Sequence, residues 1–405
     1  MRKIHYGWVV LALGILVVAG SLGFGRFGYS MILPSMQSAL GLPHGQTGII
    51  ASANMAGYVT SALVAGILAS RFGPRMVIVV SLLWTGLTMA LTSIAGGLSS
   101  LALLRFLTGL GSAGGNISIM GLASGWFSSK RRGMACGFLV GGSGLALTVT
   151  GWLVPNINKI YLQEGWRYSW LALGLITVII GVLSGLFLRN NPREKGLSPV
   201  GGEDPAAVLG GEEKRYLSIK DILMLKGVPG MAAAYFCFGF SYIIYATFFV
   251  NYIIGEKGFS EAAAGSVWSL VGFLSIGSAV LWGTASDLIG RRPALVAVFI
   301  LQAVCFVLPV HAMGQSIIKV SAIIFGLTAW SIPGIVASLS GDLSGPENAP
   351  AVLGLVTFFM GMGQVMGPTV ASYVKEVSCT FNGAFYLASS MAVAGAALSM
   401  AIRLK

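Results

Sequence analysis

The sequence predicts an all-α membrane protein of twelve transmembrane helices in two pseudo-symmetric six-helix bundles, and three observations predict it. Of the 405 residues 55% are hydrophobic and only 9% are charged, with a mean hydropathy of +0.83, a balance foreign to soluble chains of this length. Twelve apolar stretches are each long enough to cross a bilayer with some tilt. A glycine- and arginine-rich turn in the first half returns 217 residues later in the second, which marks an internal repeat.

The apolar stretches cover approximately 7–36, 46–70, 76–95, 99–127, 133–154, 167–188, 228–253, 261–286, 293–311, 316–340, 350–374 and 383–402. Between the sixth and seventh lies the only extended polar segment, rich in Gly, Pro and mixed charge. It divides the chain into an N-terminal bundle, 1–188, a cytoplasmic linker, 189–227, and a C-terminal bundle, 228–405. No stretch alternates as a strand does, which excludes a β-barrel. The 57 glycines suit helices that pack closely in lipid. Arg2 and Lys3 precede a long span with no small-residue cleavage site, which reads as a retained first helix.

The net charge of +12 is spread over the loops, so topology explains it better than nucleic acid does. With both termini on one side, eighteen Lys and Arg fall there and five, Lys159, Arg167, Lys257, Lys319 and Lys375, fall opposite. Without the linker the comparison is 11 against 5, with the same sign. Both termini are therefore expected in the cytoplasm. Cys136, Cys237, Cys305 and Cys379 are far apart and the first three lie in apolar runs, which speaks against a disulfide or metal framework.

The first span is organised around Gly23-Phe24-Gly25-Arg26-Phe27-Gly28-Tyr29-Ser30. Arg26 stands about eighteen residues from one end of its apolar run and about ten from the other, deep in a core ~30 Å thick. A guanidinium there costs at least ~3 kcal/mol, so it should face an aqueous cavity or an anion. The other reading is that it only hydrogen-bonds carbonyls of a neighbouring helix.

The repeated turn is Gly66-Ile67-Leu68-Ala69-Ser70-Arg71-Phe72-Gly73-Pro74-Arg75, answered by Gly283-Thr284-Ala285-Ser286-Asp287-Leu288-Ile289-Gly290-Arg291-Arg292. Nearly the same shift lays Arg26 on Tyr242 and Tyr29 on Tyr245. With Arg105-x-x-x-Gly109-x-Gly111, Gly141-Gly142-Ser143-Gly144, Gly165-Trp166-Arg167-Tyr168 and Asn191-Pro192-Arg193-Glu194-Lys195-Gly196, the whole chain resembles the major facilitator superfamily. Within it, Tyr6-Gly7-Trp8-Val9-Val10 resembles the start of monocarboxylate and oxalate/formate-type carriers. Gly239-Phe240-Ser241-Tyr242-Ile243-Ile244 and the segment Gly361 to Pro368 resemble a further bacterial branch, which also has an arginine at the place of Arg26.

The resemblance implies a gating or structural role for Gly66, Gly73, Arg75, Arg105, Gly283, Asp287, Gly290, Arg291 and Arg292. Asp287 should accept from a helix end or an arginine, while Arg291 and Arg292 anchor the turn at headgroups or simply set topology. Two positions depart from the pattern. Ser70 stands where the acid of the first turn is expected, and the apolar Ala279 stands near the eighth-helix arginine of monocarboxylate carriers.

Transporter sites form near midplane where repeats meet, which selects Arg26, Tyr29, Asn116, Tyr242, Tyr245 and Gln364 as substrate-binding candidates. In an α-helix Tyr29 shares a face with Arg26. Tyr242 and Tyr245, with Phe238 and Phe249, would form an aromatic wall carrying two hydroxyls, or else a packed interface. Arg105, Ser112 and Asn116 form one polar stripe, with Arg105 leaning to a structural role. Gln302, His311, Asn54 and Trp330 are weaker candidates.

All thirteen acids lie in loops or at span ends, against a cation site or a carboxylate proton relay. An anion entering against ~100 mV loses ~2.3 kcal/mol per charge, so exchange or efflux fits better than steep symport. The leading expectation is a monomeric secondary transporter that moves a small organic anion, foremost a monocarboxylate, by alternating access, with a proton or counter-anion as coupled partner. The alternatives are efflux of amphipathic compounds and a non-transporting membrane sensor. No HExxH, P-loop or Cys cluster occurs, so no enzyme, metal or cofactor is expected.

Overall fold

The structure, a computed structural model, describes residues 5–202 and 219–402. The central part of the expected linker, 203–218, lies outside the described residues. Helices occupy all twelve expected stretches. In chain order they are α1, Tyr6–Leu40; α2, His44–Phe72; α3, Pro74–Thr92; α4, Leu98–Trp126; α5, Ser129–Tyr161; and α6, Gly165–Phe187. A short helix, Ile219–Met224, precedes α7, Val228–Gly255. Then follow α8, Glu261–Ser275 with Ser278–Ile289; α9, Arg291–Val307; α10, Gln315–Ser344; α11, Ala351–Ser378; and α12, Asn382–Ala401.

Among the described residues seven helical runs suffice by length and apolarity to cross a bilayer, or nine with each bent pair as one span. The run Arg131–Phe187 counts once there although it holds α5 and α6. Helix α9 has 17 residues, and α4 dilutes its apolar residues with Arg105, Asn116, serines and glycines. Among the described residues the only extended pairing is an isolated bridge between Phe127 and Val200.

By contacts the chain forms two compact units, Met1–Leu42 with Ala53–Gly211, and Pro43–Ser52 with Glu212–Lys405. In the first, α3 packs between α4 and α6. Helix α1 is not uniform: Ala19–Phe27 widens into a π-helical segment that packs on α5. Gly57 and Gly109 let α2 and α4 touch, because a Cβ on either would strike the other helix's backbone. Gly73 ends α2 with φ +84°, a conformation that side chains with a Cβ avoid.

In the second unit α7 is the central helix, apolar on every side because it is buried along most of its length between α11 and α12. Helix α8 bends by 43° where Ser275 and Ser278 flank Gly277. Both serine hydroxyls bond back to carbonyls three residues earlier, competing with the helix ladder. Gly290 repeats the turn of Gly73, with φ +94°. Residues 43–52 pack in this unit against α11, where the Ser52 hydroxyl donates to the Val365 carbonyl at 2.6 Å and receives from Thr369 at 2.8 Å.

Candidate functional site

In the first unit Arg26 is 6% exposed, with its guanidinium carbon 4.3 Å from the ring centroid of Tyr58 and 6.0 Å from that of Phe27. A cation on an aromatic face gains from the ring quadrupole, more so once both are desolvated. The amide nitrogen of Asn116 donates to the Tyr58 hydroxyl at 2.9 Å. Two residues that the sequence selects, Arg26 and Asn116, are thus joined through a third that it does not. Tyr58 follows Asn54 by one turn of α2 and Gly57 by one residue, and this polar face beside a close-packing glycine is the signal that points to it.

Arg105 is 1% exposed and serves the main chain. Its Nη1 donates to the Gly25 carbonyl at 2.6 Å and its Nη2 to the Arg26 carbonyl at 3.3 Å. The faces of Tyr29 and Trp170 lie 5.2 and 5.0 Å from the same guanidinium. The Arg105 carbonyl in turn accepts from the Asn54 amide at 2.9 Å. Tyr29, expected on the face of Arg26, turns its ring to Arg105. The expectation assumed 3.6 residues per turn, and the π-helical segment that carries Arg26 breaks that register.

In the second unit the Gln364 amide donates to the Tyr242 hydroxyl. Tyr242 stacks on Phe238 at 4.5 Å and meets Trp330 edge-on at 6.3 Å. Tyr245 diverges from it. Its hydroxyl pairs with Ser321 at 2.8 Å, and its ring is enclosed by Phe249, Phe306, Phe325 and Phe385. Both rings are buried core, and each hydroxyl has a partner within the unit, Gln364 for Tyr242 and Ser321 for Tyr245. Gln302 binds the Thr328 carbonyl in the interior, and His311 meets the Tyr386 hydroxyl at an exposed helix end.

The repeated turns hold their arginines differently. Arg75 donates its side chain to the Gly185 carbonyl and its backbone N–H to Asn190 at 2.9 Å. Arg291 pairs with Asp287 and, at 3.2 Å, with Asp342, a partner absent from the sequence reading. Both carboxylates belong to the same unit as Arg291. The Nε of Arg292 has no hydrogen-bond partner among the described residues. A Cβ at Gly66 or Gly283 would meet nothing within 4 Å.

Residues 17–404 match a family model described as "Uncharacterised MFS-type transporter YbfB", and the chain belongs to that family. It is 24% identical to the hexuronate transporter of Bacillus subtilis (strain 168), over 93% of this chain and 90% of that protein. It is also 24% identical to the probable sulfoacetate transporter SauU of Cupriavidus necator, over 93% and 89%. Its fold is similar to the crystal structure of a bacterial homolog to the human lysosomal transporter Spinster, with a TM-score of 0.72, 15% identity, and coverage of 99% of this chain and 96% of that one. The protein is a multi-pass membrane transporter of the major facilitator type and not an enzyme.

Proposed function

We propose that the protein is a secondary carrier for a small organic anion, with monocarboxylates as the first class to test, and that Arg26 holds the anionic group. The observation that carries this reading is a buried guanidinium at mid-depth of α1, set on the face of Tyr58, in a chain whose acids all lie in loops or at span ends. A charge so placed favours an anionic ligand beside it, and a carboxylate can meet a guanidinium through two parallel hydrogen bonds. Two relatives, the hexuronate transporter and the probable sulfoacetate transporter, support an anionic cargo. Exchange for another anion, or efflux, fits an inside-negative membrane better than charge-uncompensated uptake. Both termini and the linker belong on the cytoplasmic side by the distribution of Lys and Arg.

The test is uptake and counterflow of radiolabelled carboxylates in proteoliposomes containing the wild type, Arg26→Ala or Arg26→Lys. The expected result is loss of transport in Arg26→Ala with normal folding, and poor rescue by Arg26→Lys because an ammonium cannot make the paired contact. Normal transport by Arg26→Ala overturns the reading.

A further inference from the structure

The Tyr58–Asn116 pair carries more information than an anion hook requires. Asn116 spends its amide N–H on the Tyr58 oxygen. Its Oδ1 is buried and has no hydrogen-bond partner among the described residues. The Tyr58 oxygen accepts that bond, so its own O–H is left to donate elsewhere. One acceptor and one donor therefore stand together at the hydroxyl end of a ring whose face holds Arg26. A buried acceptor left without a donor is costly, so a polar site of this kind favours a ligand that completes it over one that does not.

Three kinds of substituent beside a carboxylate can be weighed against this arrangement. A methylene leaves the Asn116 oxygen unfilled. An ammonium could donate to it, but accepts nothing from Tyr58 and brings a second positive charge next to Arg26. An alcohol does both, donating to Asn116 Oδ1 and accepting from the Tyr58 O–H. We infer that the site selects hydroxylated carboxylates, in which Arg26 takes the carboxylate while Tyr58 and Asn116 read a hydroxyl on the carbon next to it or one beyond. This inference rests on the reading of Arg26 as the partner of the anion.

The test is binding by the purified full-length protein of matched acids that differ by one feature: lactate, propionate and alanine, and tartrate against succinate. In the wild type the hydroxylated member of each pair should bind about tenfold or more tightly than its deoxy partner, with alanine weakest. Asn116→Leu should bring the ratio within each pair close to one, and Arg26→Ala should remove binding of every acid. If Asn116→Leu fails to fold, Tyr58→Phe, which keeps the ring under Arg26, should lower the same ratio. Equal binding within both pairs, still dependent on Arg26, overturns the hydroxyl inference and leaves the anion reading standing. Binding that is absent, or indifferent to Arg26→Ala, overturns both.

Discussion

The guanidinium of Arg105 hydrogen-bonds the main chain that carries Arg26, through the carbonyls of Gly25 and Arg26 itself. One buried arginine in the first unit thus fixes the backbone from which the other is presented. A helix with 3.6 residues per turn uses its carbonyls internally, whereas a π-helical segment distorts that ladder and places carbonyls where a side chain can reach them. The charged donor turns a local irregularity into a defined platform.

Replacing Arg105 with methionine should therefore act on the fold. It leaves two buried carbonyls short of a donor, and the expected loss is about 2–4 kcal/mol, part of it offset because a buried charge is also removed. Thermal unfolding in detergent should show a clearly lowered midpoint, with transport lost as a consequence. Arg26→Ala should leave that midpoint close to the wild-type value, and the contrast between the two variants is the measurement.

At Tyr58 the ring and the hydroxyl can be separated. Tyr58→Phe keeps a face for Arg26, whereas Tyr58→Leu removes it. The cation–π contribution at a desolvated site is about 1–2 kcal/mol, so Tyr58→Leu should weaken carboxylate binding about ten-fold beyond Tyr58→Phe. Isothermal titration of both variants with one acid checks this.

The α2–α4 contact depends on absent side chains. A Cβ at Gly109 would collide with the Asn54 carbonyl, and one at Gly57 with that of Phe106. Neither obstacle is a flexible side-chain tip, so Gly109→Ala should destabilise by about 1–3 kcal/mol and pull Tyr58 away from Asn116. Gly66→Ala is the control, because its added methyl meets nothing within 4 Å. Unfolding midpoints of the two variants should differ accordingly.

In the second unit, Tyr242→Phe, Gln364→Leu and the double variant form a cycle. Both side chains are buried, at 3% and 2% exposure. The coupling should be about 0.5–1.5 kcal/mol, the net value of a buried neutral hydrogen bond. A coupling near zero in denaturant titrations would show that the pair contributes nothing as a pair.

The Arg291 ion pairs should matter little one at a time. Asp287 and Asp342 are 63% and 49% exposed at their side chains, and such pairs typically contribute less than ~1 kcal/mol. Asp287→Asn or Asp342→Asn should each shift the unfolding midpoint marginally, and raised salt should shrink even that difference.

Much of this architecture is legible from hydropathy, because each span must satisfy its backbone within itself and so declares its length. The repeat is legible too. Gly73 and Gly290, aligned by sequence, share a positive φ of +84° and +94°, since a sharp turn at that place demands a residue without a Cβ. Arg26 could be singled out because a mid-span charge is rare. Tyr58 could not: a tyrosine in an apolar helix has many uses, and its role exists only through the ring's position under Arg26 and the reach of Asn116. Asp342 escaped for the same reason, being 51 residues from Arg291.

By itself the sequence determined the twelve helical stretches, the repeated turn, the place of Arg26 along its apolar run and the confinement of the acids to loops and span ends, because these follow from composition and spacing along one chain. Only the tertiary structure decided that Arg105 holds the backbone that carries Arg26, that the Arg26 guanidinium lies on the Tyr58 ring, and that Tyr245 sits among four phenylalanines while Tyr242 pairs with Gln364. Those outcomes hang on helical register and on the distance between helix axes. A π-helical segment changes the first and a pair of facing glycines sets the second, and a 3.6-residue wheel represents neither.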